Sequence, residues 1–305
     1  MCGIVGIFNF DKAENVSSRT LTRMVNSVEH RGPDGDGTLI SRNVGIGHKR
    51  LSIIDVKGGR QPMVDKQNNI SIVYNGEIYN YLEIKKQLIH RGHFFNTKSD
   101  TEVILKAYLE WGTECTKEFN GMWAFAVFDN RKNPTLFCSR DRLGIKPFYY
   151  SAKNNKFIFA SELKAFENMD EFYLDINKDV IWDSLIFGPK SFGETIFKDI
   201  FELKPGVNLT INEAGVKKQS YYSLSNTFLK KKNKYDLREI EETLLDSIKI
   251  RLRSDVPLAT INSGGLDSSF ISAVVKNNIE NLNTYSISPE PKGKEYLTSD
   301  ESIYA

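Results

Sequence analysis

The chain has 305 residues, more than one typical domain of ~100–200 residues, which predicts two domains. Lys and Arg number 41 against 39 Asp and Glu, and this net charge of +2 gives no electrostatic basis for nucleic-acid binding. No run approaches the ~18 apolar residues that span a bilayer, so we expect no membrane partner. The widely spaced Cys2, Cys115 and Cys138 suggest neither a metal site nor a disulfide framework, and predict a reducing, cytoplasmic setting.

Short segments rich in β-branched and aromatic residues predict strands in the first two-thirds of the chain. They cover residues 4–8, 46–48, 52–54, 70–74, 123–128, 136–139, 148–151 and 157–160. Helices are predicted over residues 18–29, 81–90, 100–111 and 161–166. Ser99 and Glu102 have the spacing of a capping box at the third helix. Many short strands with few helices predict layered sheets with helices outside.

The composition changes near residue 222. Residues 223–236 are polar, with lysines at 230–232 and 234, and predict a solvated linker. Beyond it, apolar residues at 237, 240, 244, 248 and 252 recur at helical spacing. Strands are predicted over residues 256–261 and 282–288, and a helix over 270–277. This pattern predicts the start of a second domain, of the α/β class with a parallel sheet.

A cysteine stands immediately before the first predicted strand. If Met1 is removed, Cys2 carries a thiol and an α-amine, whose pKa of about 7.7–8 leaves a useful unprotonated fraction at neutral pH. Cys2 would then hold a nucleophile and its own base. The alternative is a buried cysteine that begins an edge strand, since free cysteine is often buried.

Three further positions each allow a structural and a functional interpretation. Arg50 precedes a predicted strand and is either solvated or a carboxylate ligand. Asn75-Gly76 is either a hairpin turn or an oxyanion hole, formed by the Asn side chain and the Gly N–H. Asp100 lies in a first helical turn, where an acid is favoured by the helix dipole or could bind an ammonium group.

Six motifs in order resemble the class II glutamine amidotransferase domain of glutamine-hydrolysing asparagine synthetases. They are residues 2–7, 30–34, 48–55, 74–80, 99–103 and 140–150. The resemblance covers residues 2–222. It implies an α+β N-terminal-nucleophile hydrolase fold, an α-β-β-α sandwich with antiparallel sheets, and removal of Met1.

The resemblance also implies roles for single residues. Cys2 would attack the glutamine side-chain amide, with its α-amine moving the proton, and Asn75 and Gly76 would form the oxyanion hole. A γ-glutamyl thioester would form, ammonia would leave, and water would release glutamate. The implied glutamine-binding residues are Arg50, Ile53, Ile54, Asn75, Gly76, Glu77 and Asp100. Arg31 and Asp34 are expected to shape a loop over the pocket.

In the second domain, residues 263–269 read Ser-Gly-Gly-Leu-Asp-Ser-Ser between a predicted strand and helix. Adjacent glycines with hydroxyls at a helix N-terminus can form an anion cradle, with a plain polar turn as the alternative. The string resembles the pyrophosphate loop of ATP pyrophosphatases, which implies ATP as a substrate and Mg²⁺ held by Asp267. The implied ATP-binding residues are Asn262, Ser263, Gly264, Gly265, Asp267, Ser268 and Ile287.

Two features of the second domain need comment, a residue that differs from the family's pattern and the end of the chain. Asn262 stands where many asparagine synthetases have an apolar residue. Residues 299–305 resemble the family's next motif, and the synthetase domain of the family continues well beyond residue 305. We expect this end to reflect a truncated reading frame, a fragment or half of a split protein. A homodimer or a partner chain that completes the synthetase domain is compatible with the pattern.

The sequence therefore predicts a glutamine-dependent asparagine synthetase, which converts ATP, aspartate and glutamine to asparagine, glutamate, AMP and pyrophosphate. The predicted domains are residues 2–222 for glutamine hydrolysis, a linker over 223–236, and an incomplete synthetase domain over 237–305. This chain alone is expected to hydrolyse glutamine without making asparagine. One alternative is an amidotransferase for another carboxylate, such as a sugar acid or a natural-product intermediate. The other is a non-catalytic module that binds glutamine or a partner chain.

Overall fold

The computed structural model describes residues 1–169, 173–188, 193–225 and 236–287. The chain forms two compact units, residues 1–229 and 230–305. Within the described ranges, no helix is long and apolar enough to cross a membrane.

The first unit contains two sheets and helices on their outer faces. Its strands are β1 Gly3–Asn9, β2 Gly35–Ser41, β3 Val44–Arg50, β4 Met63–Asp65, β5 Ile70–Ile78, β6 Gly121–Asp129, β7 Thr135–Arg140, β8 Tyr149–Lys153, β9 Lys156–Ala160, β10 Phe201–Glu202, β11 Val207–Asn212 and β12 Gly215–Ser220. Its α-helices are α1 Ser18–Ser27, α2 Tyr81–His90, α3 Asp100–Trp111 and α4 Lys178–Phe187. Short 3₁₀ helices cover Glu29–Arg31, Gly112–Lys117 and Leu163–Asn168.

Each sheet has six strands, and all neighbouring strands within each sheet run antiparallel. The first sheet has the order β10-β8-β9-β1-β3-β2 and the second β12-β11-β7-β6-β5-β4. β1 pairs with β3 on one side and with β9 on the other, so it is a central strand. Cys2 therefore precedes a central strand, and the edge-strand alternative is wrong.

Three apolar clusters fill the space between four layers. One lies between the sheets and includes Ile4, Phe8 and Val73. A second packs α2 and α3 against the second sheet, and a third packs α1 against the first sheet. All seven residues of β1 are buried, as expected for a strand covered on both faces. The antiparallel α-β-β-α layering predicted from the motifs is confirmed for this unit.

Several predicted elements differ in the structure. Residues 52–54 are a loop because β3 ends at Arg50, and residues 161–166 form no α-helix but contribute to the 3₁₀ helix Leu163–Asn168. The turn interpretation of Asn75-Gly76 is wrong, since both residues lie inside β5. Strands β2, β4 and β10–β12 and helix α4 were not predicted. β2 alternates half-buried and exposed residues, a pattern masked by its glycines.

The capping box at α3 is half correct. Ser99 is the N-cap, and its hydroxyl accepts a hydrogen bond from Thr101 N–H at 3.2 Å. Glu102 does not return to the Ser99 N–H. Its carboxylate instead accepts bonds from the Asn96 and Thr97 N–H groups and from the Thr97 hydroxyl, with distances of 2.7–3.1 Å. The glutamate therefore orders the loop before the helix.

The second unit contains α5 Leu237–Lys249, the 3₁₀ helix Ile250–Leu252, β13 Ala259–Ile261, α6 Leu266–Lys276 and β14 Asn283–Tyr285. β13 and β14 pair in parallel, with Ala259 opposite Asn283. Both strands are shorter than predicted, and α6 begins four residues earlier than predicted. The lysine-rich run at 230–234, residue 288 and the motif at 299–305 lie outside the described residues.

Candidate active site

One cavity of about 230 Å³ in the first unit gathers the side chains that the sequence singled out. All eight residues predicted for the glutamine pocket line it: Cys2, Arg50, Ile53, Ile54, Asn75, Gly76, Glu77 and Asp100. The volume is below the ~300–1,000 Å³ typical of pockets for drug-sized ligands. Its size and its four charged lining residues, Arg50, Glu77, Asp100 and Lys146, suit a small, charged metabolite.

Cys2 lies where β1 meets the cavity. Its Sγ accepts a hydrogen bond from Leu51 N–H at 3.3 Å, and Arg31 Nε donates to the Cys2 carbonyl at 2.8 Å. Arg31 is itself paired with Glu162 at 3.0 Å. Cys2 is thus held at its sulfur by Leu51 and at its carbonyl by Arg31. Arg31 therefore contacts the backbone of Cys2 and does not only shape a covering loop.

Burial raises the pKa of the Cys2 thiol above its ordinary value, while the Leu51 N–H and the charges of Arg50 and Lys146 counteract this. The thiol is therefore mainly protonated at neutral pH, and attack on a substrate requires a base. Met1 lines the same cavity and is 57% exposed. The N-terminal amine of Met1 interacts electrostatically with the Cys2 thiol.

Arg50 ends β3 and holds the next loop. Its guanidinium donates to the carbonyl of Val56 at 2.8 Å, of Asp55 at 2.7 Å and of Ile54 at 3.3 Å. Among the described residues these bonds engage three of its five N–H donors, which leaves two for a carboxylate. The arginine is buried rather than solvated, and it both shapes and charges the pocket.

The loop after Arg50 is tied at several points. Asp34 accepts a hydrogen bond from Ser52 N–H at 2.7 Å. Asp55 accepts one from Lys98 N–H at 2.8 Å and one from Gly58 N–H at 2.8 Å. These bonds place Ile53 and Ile54 against the cavity.

β5 presents two donors suited to an oxyanion. The Asn75 side chain is buried, and in the described part of the chain its Nδ2 has no acceptor. The Trp123 N–H and carbonyl both bond to Asp141, away from β5, so Gly76 and Trp123 form a non-hydrogen-bonded pair. Alternation along the strand then directs the Gly76 N–H toward the opposite edge, which faces the cavity.

Asp100 is a buried carboxylate at the start of α3. It accepts hydrogen bonds from the Tyr74 hydroxyl at 2.9 Å and from Ile78 N–H at 3.2 Å. Burial raises the pKa of Asp100 to about 6, although these hydrogen bonds oppose the shift. An ammonium group in the cavity would stabilise its ionised form.

Glu77 and Lys146 are two further charged residues that line the cavity, and they interact electrostatically. Burial, together with the nearby Asp100, raises the pKa of Glu77, and Lys146 opposes the shift. Burial lowers the pKa of Lys146, while Glu77 and Cys2 oppose that shift. The cavity thus combines cations at Arg50 and Lys146 with acids at Glu77 and Asp100, as a zwitterionic ligand requires.

The lining residues that sequence reasoning missed include Gln61, Tyr74 and Lys146. Tyr74 and Lys146 stand inside quoted motifs, but nothing in their spacing indicates that they face the cavity. Gln61 precedes Pro62 outside every motif, and only the pairing of β4 with β5 brings it to Tyr74.

In the second unit the predicted loop joins β13 to α6. The Asn262 side-chain oxygen accepts hydrogen bonds from Gly264 N–H at 2.9 Å and from the Ser268 hydroxyl at 3.0 Å. Gly264 has φ +86°, a conformation that glycine adopts without strain. Asp267 is exposed in the first turn of α6, and Ile287 is 86% exposed two residues after β14.

These positions share one edge of the parallel pair. Asn262 N–H donates to the Tyr285 carbonyl at 2.9 Å, so the carboxyl ends of both strands meet there. Among the described residues, no side chain caps the N-terminus of α6, which leaves its first N–H groups open to an anion. The described residues contain no cluster of three His, Cys, Asp or Glu side chains that could hold a metal ion.

A family model described as a glutamine amidotransferase domain matches residues 1–222. The chain belongs to this glutamine amidotransferase family. A second model, described as asparagine synthase, matches residues 239–305 of this chain.

Curated relatives of this chain include glutamine-hydrolyzing asparagine synthetase 3 of Bacillus subtilis (strain 168), which is 38% identical over 98% of this chain and 50% of the relative. A putative glutamine-hydrolyzing asparagine synthetase 2 of Methanocaldococcus jannaschii is 41% identical over 96% of this chain and 60% of the relative. The resemblance predicted from the six motifs is confirmed. The chain spans about half the length of the curated relatives it matches.

A solved structure of glutamine phosphoribosylpyrophosphate amidotransferase from B. subtilis, complexed with ADP and GMP, has a TM-score of 0.54 to this chain. The two share 17% sequence identity, and the match covers 99% of this chain and 70% of the other. At this identity the likeness concerns the fold alone.

Proposed function

We propose that the cavity hydrolyses glutamine to glutamate and ammonia. The observation that carries this proposal is the meeting of the Cys2 thiol, the unpaired Asn75 Nδ2 and the cavity-facing Gly76 N–H in a pocket with charges of both signs. Arg50 binds the substrate α-carboxylate, and Asp100 with Glu77 binds its α-ammonium group. The amide carbon then lies at the sulfur.

The chemistry requires removal of Met1, which frees the α-amine of Cys2. This amine takes the thiol proton as sulfur attacks the amide carbon, and the two donors of β5 stabilise the oxyanion. The amine passes the proton to the leaving nitrogen, and ammonia departs from a γ-glutamyl thioester. Water then attacks the thioester, restores the thiol and releases glutamate.

The destination of the ammonia is the second part of the proposal. The relatives are named as glutamine-hydrolyzing asparagine synthetases, and the loop at residues 263–269 has the form of an anion cradle. We therefore propose ATP-dependent amidation of aspartate by the whole protein, in the cytoplasm, with ATP held by Asn262, Ser263, Gly264, Gly265, Asp267, Ser268 and Ile287. Another acceptor carboxylate is the competing outcome.

Mg²⁺ fits this loop only as a companion of the nucleotide. Mg²⁺ is commonly held by one or two carboxylates together with substrate phosphates. Asp267 offers one such carboxylate beside the cradle, and it would hold Mg²⁺ there. The ion would neutralise phosphate charge.

The test of the first step is glutamate release from glutamine by wild type and by Cys2→Ala, with mass spectrometry to establish the mature N-terminus. We expect release from the processed wild type and background from Cys2→Ala. Cys138→Ala is the matched control, because Cys138 is buried in the core between the sheets. Equal release from wild type and Cys2→Ala would contradict the catalytic role of Cys2.

The acceptor is tested separately, by supplying ATP, Mg²⁺, glutamine and either aspartate or other carboxylates. Formation of asparagine and AMP supports the synthetase assignment. We expect this chain alone to release glutamate without forming asparagine.

A further inference from the structure

Gln61 lies just before β4, where the pairing of β4 with β5 ends. β4 and β5 pair with Met63 opposite Ile72, and extending this register by two residues places Gln61 opposite Tyr74. Pro62 lies between, opposite Val73, whose N–H and carbonyl point to β6, and the paired residues of β4 begin only at Met63. The backbone pairing therefore ends before Tyr74.

The side chain of Gln61 replaces that pairing. Its Oε1 accepts a hydrogen bond from Tyr74 N–H at 2.6 Å, and its Nε2 donates to the Tyr74 carbonyl at 3.2 Å. A carboxamide has one acceptor and two donors, so it can take the place of a neighbouring peptide group. The Tyr74 peptide groups are thus satisfied without a neighbouring strand.

A second residue supports the same carbonyl. His48 Nε2 lies 3.0 Å from the Tyr74 oxygen. Burial lowers the pKa of His48 to about 3, so the ring is neutral, and Nε2 must carry the proton because a carbonyl only accepts. Tyr74 is therefore held by two donors on its oxygen.

The consequence concerns the two residues after Tyr74. In an antiparallel strand, the N–H groups of alternate residues point to the same edge. On this edge, Gln61 takes the Tyr74 N–H and Asp100 takes the Ile78 N–H, and the Gly76 N–H lies between them. A strand continued past Tyr74 would have covered that group.

We propose that Gln61 is a positioning residue that ends the sheet beside Tyr74 and thereby holds Asn75 and Gly76 in place for an oxyanion. This role rests on the proposed glutaminase activity, but its structural part does not. Gln61 acts through the Tyr74 backbone.

The kinetic test compares Gln61→Leu with wild type in glutamate release. We expect kcat to fall about 10–100-fold, with KM changed less than about threefold, because an oxyanion donor acts in the transition state. Gln87→Leu is the matched control, since Gln87 is exposed on α2. A change in KM alone would overturn the proposal.

A double-mutant cycle separates positioning from general destabilisation. In an Asn75→Ala background, Gln61→Leu should lower kcat by a smaller factor than in wild type, because one of the two donors that it positions, the Asn75 side chain, is already gone. Multiplicative losses would overturn the proposal. If Gln61→Leu fails to fold, Gln61→Glu, of near-equal volume, takes its place, since a carboxylate accepts from the Tyr74 N–H but cannot donate to the Tyr74 oxygen.

Amide hydrogen exchange in the Cys2→Ala protein tests the structural part without activity. Exchange at Tyr74 should accelerate at least about tenfold in Gln61→Leu and remain unchanged in Gln87→Leu. Unchanged exchange at Tyr74 would overturn the proposal. Absence of glutamate release from wild type would instead contradict the proposed function and leave this measurement valid.

Discussion

At the scale of single residues, the cavity depends on the protonation of one buried acid. With the pKa of Asp100 at about 6, the free protein holds this carboxylate ionised above that pH and protonated below it. Only the ionised form attracts an ammonium group. Bound glutamine lowers this pKa, since the opposite charge favours the carboxylate.

We therefore expect glutamine affinity to weaken as pH falls through about 6, by close to tenfold for each further pH unit. The measurement is calorimetric titration of glutamine into Cys2→Ala protein between pH 5 and 8. Asp100→Asn is the control, with weak binding that no longer follows this titration. A flat profile in Cys2→Ala protein would show that Asp100 does not contact the ammonium.

Gly76 has no room for a side chain. A Cβ built there would lie 2.2 Å from the Met122 carbonyl oxygen and 2.8 Å from Trp123 Cα, and neither backbone atom can move freely. We expect Gly76→Ala to displace the strand, to lower kcat by ~10²-fold or more, and to destabilise the fold by about 1–3 kcal/mol.

Gly35→Ala is the matched control, because a Cβ at Gly35 would meet no atom of the described residues within 4 Å. Its melting temperature and glutamate release should stay near those of wild type. If Gly76→Ala kept full activity, β5 would not supply the oxyanion donor.

At this scale the sequence predicted the individual residues of the pocket well but not the interactions between them. Eight predicted residues meet in one cavity, and their roles stay predictions. Lys146 and Tyr74 could not be assigned, because their orientation follows from strand pairing that no spacing reports. Gln61 required the β4–β5 register, which is a tertiary property.

At the scale of elements, the start of α3 depends on a glutamate that reaches backward. The buried Glu102 carboxylate satisfies the N–H groups of Asn96 and Thr97 and the Thr97 hydroxyl. We expect Glu102→Ala to destabilise the protein by about 2–4 kcal/mol, since it leaves several donors unpaired.

Thermal and denaturant unfolding measure this effect. The control is Glu167→Ala at an exposed site, with an expected change within about 0.5 kcal/mol. Glu102→Gln should fall between the two, because an amide oxygen still accepts. A Glu102→Ala protein as stable as the control would mean that the loop orders itself by other contacts.

Element prediction failed where local pattern and tertiary context disagreed. Residues 52–54 have the β-branched composition of a strand. In the structure, however, the Ile54 carbonyl bonds to the Arg50 side chain and the Ser52 N–H bonds to the Asp34 carboxylate, instead of to a neighbouring strand. β10 has only two residues, too few for any periodicity. α6 begins at Leu266, directly after the Ser-Gly-Gly turn. The spacing of apolar residues does not indicate this start.

At the scale of the whole molecule, the first unit contains its own core. Every residue of the three apolar clusters lies between positions 4 and 221. The layered architecture was predictable, because its strands and outer helices are long enough to show their pattern. In the described residues, the sheet of the second unit consists of two parallel strands, so the α/β class of this unit remains a proposal.

We therefore expect a protein ending at residue 225 to fold cooperatively, with a melting temperature within a few degrees of the corresponding transition in the full chain. Its kcat for glutamate release should lie within about threefold of the full chain. Circular dichroism and the glutamate assay measure both. Loss of the cooperative transition in the shorter protein would show that the core needs residues beyond 225.

The nine-residue pairing of β5 with β6, from Ile70 opposite Asp129 to Ile78 opposite Gly121, carries a consequence for changes in chain length. Insertion of one residue within β5 before Tyr74 would invert the parity of everything after it. The peptide of residue 76 would then turn into the sheet, and the carboxamide of Asn75 would leave its face. Length variation is therefore tolerable in the loops on either side of this strand, whereas a single added residue inside it would disable the site and also turn the buried Tyr74 and Ile78 side chains out of their core.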